Sequence, residues 1–350
     1  MHRWKLEDDL YDIIDSSLCS LKILDNSQIL LTGCTGFIGI WLLNTLNEAC
    51  IKNNININIF LVSRNKHIKE ISSILVSELT SNLKIKIITS DIRNFETYES
   101  FDYVIHGAVD TSVELNNNEP DEMHSTIMDG TKNLLKQLRH SKSLQKILHL
   151  SSGAVYGKTT SDKPLKEILF LDEPIKGKLA TYAESKRLSE SLINTFSNNY
   201  NIPSVHARIF AVCGPFMKFD AHFAFGNFIR DALFNKKIII RSDGASVRSF
   251  LYASDMIKWL VFLLIGETNF NSYNIGSSES ISIKNLASKI SNIMGCSYEV
   301  QNKSITMWDN KYYIPNIDRI IEESKINPFN NLDKSIIKTS RWKQSESKTI

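Results

Sequence analysis

The stretch Leu30-Leu31-Thr32-Gly33-Cys34-Thr35-Gly36-Phe37-Ile38-Gly39 restricts the fold more than any other part of the 350-residue sequence. The apolar run Ile29–Leu31 reads as a buried strand, and Ile38–Cys50 carries the apolar spacing of a helix. Between them the chain must turn sharply. Gly33 permits the turn, Gly36 lets a pyrophosphate approach the backbone, and Gly39 lets the helix pack closely on the strand. Free amides at the helix start, together with the helix dipole, favour an anion there. Three glycines can also serve a strand-to-helix connection that holds no ligand. The position after a first strand, with five more strands downstream, favours a dinucleotide held by Gly33, Thr35, Gly36, Phe37, Ile38 and Gly39.

Those further strands are short apolar runs at Ile57–Val62, Ile85–Ile88, Tyr103–Ile105, Ile147–Leu150 and Val205–Phe210. Helical spacing fills the gaps at Ile68–Leu79, Met123–His140 and Tyr182–Asn199. Strands alternating with helices predict an α/β fold with a doubly wound parallel sheet, because parallel strands need long crossover connections. Residues 1–26 form an amphipathic helical extension, and 27–213 hold the dinucleotide. Residues 214–337 make a smaller, mixed and discontinuous substrate lobe, with 246–256 a candidate to return to the first domain. Residues 338–350 read as a polar, frayed tail.

A net charge of +3 is too small and dispersed for nucleic acid as a main partner, and suits an anionic small molecule. Five widely spaced cysteines without a CxxC pair support neither a disulfide framework nor a zinc site, and point to a reducing cytoplasm. The longest apolar run, Trp259 to Ile265, is far too short to cross a bilayer. His106 and His149 end apolar strands and read as satisfied interior histidines, so no metal is expected.

The second strand ends Val62-Ser63-Arg64, where folds that prefer NAD place a carboxylate for the ribose 2′-hydroxyl. Ser63 and Arg64 offer instead a hydroxyl and a planar cation, which suit the 2′-phosphate of NADP; Arg64 in plain solvent is the alternative. Asp91-Ile92, after the third strand, is placed to reach the adenine, although an Asp there is also an ordinary helix cap.

Tyr182 and Lys186 lie four residues apart and share a helix face. An ammonium and a positive nicotinamide beside a phenol would stabilise phenolate, so the pair is a candidate for proton transfer. Leu150-Ser151-Ser152-Gly153-Ala154-Val155-Tyr156-Gly157 ends the fifth strand, where ligands bind in open parallel sheets. Ser152 is the candidate third member, able to hydrogen-bond a substrate oxygen.

With these motifs the sequence resembles the extended short-chain dehydrogenase/reductase family, particularly its sugar-nucleotide epimerases, dehydratases and ketoreductases. The likeness runs from about Gln28 to Glu323. It includes Thr32–Gly39, Asp91-Ile92-Arg93, Val104-Ile105-His106-Gly107-Ala108, Gly130-Thr131 with Asn133-Leu134-Leu135, Ser151–Gly157, Tyr182–Lys186 and Arg248-Ser249-Phe250. The resemblance implies a Rossmann domain and a catalytic trio of Ser152, Tyr182 and Lys186, the last two also touching cofactor. It further implies cofactor contacts at Gly107 and Ala108, a diphosphate contact at Arg248, and a homodimer packed through 123–140 and 182–199. The family's Asn three residues before the Gly-Thr pair is Ile127 here.

Family dehydratases carry an Asp-Glu pair after the catalytic hydroxyl, where this chain has Gly153 and Ala154, so dehydration is not expected. The absence of a carboxylate after the second strand then favours NADPH-dependent reduction, and the resemblance implies as its substrate a nucleoside-diphosphate 4-keto-6-deoxyhexose, serving surface-polysaccharide sugars. A sugar-nucleotide 4-epimerase using NAD or NADP is the alternative, and a non-catalytic dinucleotide sensor is a third. Asp220, His222, Phe223, Asn227 and Arg230 are candidates to face the substrate, with Asn227 the chosen contact; the Phe-rich stretch also reads as core.

Overall fold

The computed structural model describes residues 5–16, 20–64, 75, 77–108, 118–157, 162–168, 180–219, 223–301 and 311–346. Seven parallel strands form the main sheet: β1 (Ser27–Thr32), β2 (Ile57–Ser63), β3 (Leu83–Thr89), β4 (Tyr103–His106), β5 (Lys146–Ser152), β6 (Ser204–Ile209) and β11 (Ser272–Ile275). Their spatial order is β11-β6-β5-β4-β1-β2-β3, so the order reverses beside β1, whose neighbours are β4 and β2. The fold is α/β and Rossmann-type, and in such a sheet ligands bind outside the carboxyl ends of the strands where the order reverses, here β1 and β4.

Helices cover both faces because the central strands are apolar on both sides. On one face lie α1 (Leu6–Asp15), α2 (Phe37–Asn53) and α6 (Ala253–Ile265), which bury Leu10, Trp41, Leu46, Trp259 and Leu260. On the other lie α3 (Pro120–Leu138) and α4 (Ala180–Tyr200), with Leu134, Leu138, Ile193 and Phe196 in the core. Pro120 suits the first turn of α3, where its missing N–H costs nothing, and Asp121 and Glu122 complement the dipole.

The smaller lobe contains α5 (Ala224–Arg230), the pair β8 (Lys237–Ile240) and β13 (Ser297–Val300), and α7 (Ile283–Met294) around Phe225, Ile229, Ile238, Leu286 and Ile290. The segment Arg248–Tyr252 is divided between two strands. Strand β9 (Val247–Ser249) lies between β12 (Ser280–Ser282) and β14 (Tyr312–Tyr313), whereas β10 (Leu251–Tyr252) pairs with β7 (Val212–Cys213). The chain changes sheets at Phe250.

The tail differs from expectation. Helix α9 (Leu332–Glu346) continues through the polar stretch, because Thr339 and Ser340 are buried and Trp342 packs on Phe216 and Phe219. Lys338 Nζ reaches Asp9 Oδ1 at 2.5 Å, and Tyr252 Oη donates to Asp9 Oδ2 at 2.8 Å. The N-terminal helix and α9 thus brace each other through a buried carboxylate. Of the expected helix Ile68–Leu79, residues 68–74 and 76 lie outside the described residues, and 77–79 are not helical. No helix among the described residues is long and apolar enough to cross a membrane.

Candidate active site

The glycine turn is built almost entirely from backbone. Gly33 has φ of +79°, and a Cβ there would lie 2.5 Å from the carbonyl oxygen of Gly107. At Gly39 a Cβ would lie 2.5 Å from the Gly33 carbonyl oxygen, so the start of α2 rests directly on the turn. Gly36 caps α2 without a side-chain hydrogen bond and is exposed with Thr35, which leaves helix amides uncapped at the carboxyl end of β1. Phe37 and Ile38 are half-buried in the first helical turn. These features fit a dinucleotide pyrophosphate, which needs close approach and N–H donors.

Behind the turn, Thr32 joins β1 to β4. Its hydroxyl oxygen accepts from the amides of Gly107 and Ala108, both at 3.1 Å. Its hydrogen is then left for His106 Nδ1, 2.9 Å away. On the far side of that ring Nε2 meets Thr131 Oγ1, whose own hydrogen goes to the Ile127 carbonyl at 2.6 Å. This pattern assigns a neutral His106 that donates through Nε2. Burial and the Lys186 charge push His106 down to about 3.

At the adenosine end, Ser63 is half-buried and Arg64 exposed. Asp91 is forked by Arg93, with Oδ1 to Nε at 2.8 Å and Oδ2 to Nη2 at 2.9 Å, while Arg93 also reaches Glu122. Those bonds hold the Asp91 carboxyl below its ordinary value, with Arg64 adding to the effect. Ile92 is a core residue packed under Gly130, and its carbonyl accepts from Asn133.

Three consecutive residues at the end of β5 meet one face of α4. Lys186 Nζ donates to the Leu150 carbonyl at 2.9 Å, the Ser151 hydroxyl donates to Glu190 Oε1 at 2.5 Å, and the Ser152 hydroxyl lies near enough to the Tyr182 phenol to bear on its proton. Ser152, Tyr182 and Lys186 therefore converge. Burial raises the Tyr182 phenol, with the Ser152 hydroxyl acting the other way, and burial lowers Lys186 to about 8. The expected lowering of Tyr182 by Lys186 is not what this arrangement produces, because the ammonium is turned to the Leu150 carbonyl.

A second phenol, Tyr313, also lies beside Ser152, and its hydroxyl fills the space into which a side chain on Gly153 would project. Tyr313 lies in register with Arg248 across β14 and β9. The Arg248 guanidinium sits 5.8 Å from the Tyr313 ring and has no carboxylate within 4 Å among the described residues. Burial lowers its pKa, which leaves a cation suited to an incoming anion. Asn227 is half-buried, with Oδ1 buried and lacking a partner. Arg230 instead binds Asp231 and the Phe219 carbonyl, and Phe223 is exposed. Asp220 and His222 lie outside the described residues.

The sequence model of the NAD dependent epimerase/dehydratase family matches residues 29–276. The chain belongs to that family. Among relatives, the uncharacterised UDP-glucose epimerase YtcB of Bacillus subtilis is 28% identical over 278 residues, covering 77% of this chain and 82% of that protein. UDP-glucuronic acid decarboxylase 6 of Arabidopsis thaliana is 28% identical over 302 residues, covering 85% and 83%. The crystal structure of UDP-glucuronic acid 4-epimerase from Bacillus cereus, in complex with UDP-glucuronic acid and NAD, superposes with a TM-score of 0.74. It is 26% identical and covers 91% of this chain and 99% of its own.

Against the family motifs, three side chains of this site escape a reading of the sequence. Tyr313 follows a run without recognisable pattern, and Glu190 and Arg208 look like ordinary helix and strand residues. Only the register of β6 against β5 brings Arg208 to Glu190, with bonds of 3.1 and 2.8 Å. The spacing of Tyr182, Lys186 and Glu190, four apart on α4, is the one signal that precedes the structure.

Proposed function

We propose that this family member is a sugar-nucleotide 4-epimerase, with Tyr182 as the proton-transfer group at the C4 oxygen. The observation that carries the reading is the composition of the reacting wall: Ser152 is flanked by two phenols, and Gly153 leaves no carboxylate beside it. Elimination of water needs an acid and a base at that wall, whereas transfer of hydrogen at one carbon needs a single group cycling one proton. The relatives named for action at C4 of UDP-sugars support the substrate class.

Gly33, Gly36 and Gly39 would hold a nicotinamide dinucleotide, which would supply hydride acceptance and return. Tyr182 takes the hydroxyl proton as C4 is oxidised and gives it back after the sugar has turned. Ser152 donates a hydrogen bond to the same oxygen and stabilises the charge on it. Lys186, now on the Leu150 carbonyl, would turn toward Tyr182 and the cofactor's ribose, where its charge would favour phenolate. Arg248 and Asn227 hold the diphosphate and the nucleoside. A homodimer through α3 and α4, a cytoplasmic location and a place in surface-polysaccharide supply accompany this reading.

The test is incubation with UDP-glucose, UDP-N-acetylglucosamine and UDP-glucuronic acid, with NAD or NADP added and products identified by proton NMR. Interconversion at C4 without net change in nicotinamide absorbance is the expected result. Release of carbon dioxide from UDP-glucuronic acid would make the chain a decarboxylase. Reduction is the second reading, favoured by Ser63 and Arg64 and by the missing carboxylate at the end of β2. Stoichiometric oxidation of NADPH by a nucleoside-diphosphate 4-keto-6-deoxyhexose would establish it and replace the epimerase.

A further inference from the structure

The polar layer beneath the reacting wall contains one carboxylate that the chemistry above does not use. Glu190 is 7% exposed and stands one turn after Lys186 on the same face of α4. It accepts the Ser151 hydroxyl through Oε1 and both Nε and Nη2 of Arg208 through its two oxygens. Arg208 is fixed in turn by the Tyr156 hydroxyl at 3.0 Å and the Glu167 carbonyl at 3.2 Å. Glu190 therefore joins the catalytic helix to the two central strands that carry Ser151 and Arg208.

The surroundings of Lys186 give that carboxylate a second consequence. His106, His149 and His206 occupy matching positions on β4, β5 and β6, all buried. His206 Nε2 meets Asn194 Oδ1 at 3.0 Å and so carries a hydrogen; its bare Nδ1 accepts from His149 Nδ1 at 3.2 Å. Burial and neighbouring cations hold all three rings neutral. Tyr182 on the same helix is a neutral phenol, the Tyr156 hydroxyl is given to Asn274, and the Glu167 carboxylate faces the Asn274 amide and Arg319. Arg208 is a further cation whose charge is taken by Glu190. Among the described residues Glu190 is the carboxylate one helical turn from Lys186, and its charge opposes the loss of the proton that burial favours.

We propose that Glu190 is a positioning residue of the active site: it fixes Ser151, and hence Ser152, against α4, and supplies the negative charge beside which Lys186 remains an ammonium. This rests on the reading of Tyr182 and Lys186 as the proton-transfer pair. The substitution Glu190→Gln keeps an acceptor for Ser151 and removes the charge. Loss of an adjacent counter-charge moves a titration by about 1 pH unit or more. The alkaline limb of kcat/KM, which follows the Lys186 proton, should therefore fall by about 1 unit, with the loss of activity greatest above neutrality.

Glu190→Gln leaves Arg208 buried without its partner, which can destabilise the fold by itself. The double variant Glu190→Gln with Arg208→Met removes both charges. It should recover thermal stability while the alkaline limb stays low. The same titration is read without turnover by NMR of protein labelled at lysine Cε, with Lys186→Met identifying the Lys186 signal. A lowered midpoint in both Glu190 variants supports the proposal. An unchanged midpoint in folded Glu190→Gln protein, or a limb that returns to the wild-type value in the double variant, overturns it. Absence of activity on every sugar nucleotide would remove the epimerase reading, and the NMR titration would still decide the role of Glu190.

Discussion

The cofactor cradle and the polar layer under the catalytic wall lie side by side at the ends of β1, β4 and β5, yet they are made of different things. The cradle is backbone: Gly33, Gly36, Gly39 and Gly107 work by lacking side chains, and the forces involved are steric fit and N–H donation. The polar layer is side chains, with Lys186, Glu190, Arg208 and three histidines buried together. Backbone geometry is indifferent to pH and intolerant of volume. A buried ionisable layer tolerates some change of shape but depends on every proton.

The largest expected effect breaks that contrast with acid. The histidines are held below the value of about 6.5 that they take in an unfolded chain, His206 at about 4 and His106 at about 3. The unfolded chain therefore takes up protons first, so the stability they contribute is complete above about pH 6.5 and falls as pH drops toward 4 and 3. Each costs about 1.4 kcal/mol per pH unit in that window, or about 4 kcal/mol for His106 and His206 together at pH 5, with His149 adding to the loss. That is on the scale of the whole stability of a domain, about 5–15 kcal/mol. Urea denaturation between pH 7.5 and 5 should show a steep loss, and His149→Gln should flatten it. A midpoint that does not move with pH would mean that water or local opening already charges these rings in the folded protein.

Next in size is Tyr182→Phe, which removes the proton donor and leaves the cradle whole. Turnover should fall by about 10²–10⁴-fold while dinucleotide affinity, measured by calorimetry, changes little. A comparable fall in affinity would mean that the two regions are coupled through the phenol. Turnover close to that of the wild type would move the proton to another group, with Tyr313 the first to test, since it shares Ser152.

The same division explains what could be read from the sequence. The requirement for a glycine is local, so Gly33, Gly36 and Gly39 declare the turn within ten residues. Tyr182 and Lys186 are legible for the same reason, because one helical turn relates them. Tyr313 and Arg248 meet only after β14 pairs with β9, and Arg208 reaches Glu190 only through the register of β5 with β6. No window of sequence contains those relations. Helix α9 was missed because its polar face is what α1 and the smaller lobe bury: Asp9 on Lys338, and Trp342 on Phe216. Strand β11 was missed because four residues, Ser272–Ile275, with an Asn among them, give no alternation to detect.

Within the cradle, two glycines sharpen the steric argument against each other. A methyl group at Gly39 would sit 2.5 Å from the Gly33 carbonyl, whereas at Gly36 the nearest atom is an ordinary 3.5 Å away. Gly39→Ala should therefore lower thermal stability by about 1–3 kcal/mol and weaken the dinucleotide as well. Gly36→Ala should leave the melting temperature of the free protein unchanged and weaken only the dinucleotide, by about tenfold, as a methyl group meets the phosphate. Equal melting losses in both variants would show that the turn has no freedom even where space is available.

The smallest effect concerns which dinucleotide the cradle takes. Arg64 is exposed, beside Ser63 and near enough to Asp91 to bear on its proton. An exposed ion pair is worth up to about 1 kcal/mol, or roughly fivefold, and salt screens it further. If the 2′-phosphate of NADP sits on Arg64, Arg64→Ala should weaken NADPH by about fivefold at low salt and leave NADH within about twofold, with the difference shrinking at 0.5 M salt. If both dinucleotides respond alike, Arg64 belongs to the solvated edge of β2. The forked Asp91–Arg93 pair beside it would then be the better place to look for a ribose contact, and the reductase reading would lose the observation that favours it. Because Arg64 is a side chain within a region otherwise made of backbone, its salt dependence also separates it from the glycines, whose contributions should not change with ionic strength.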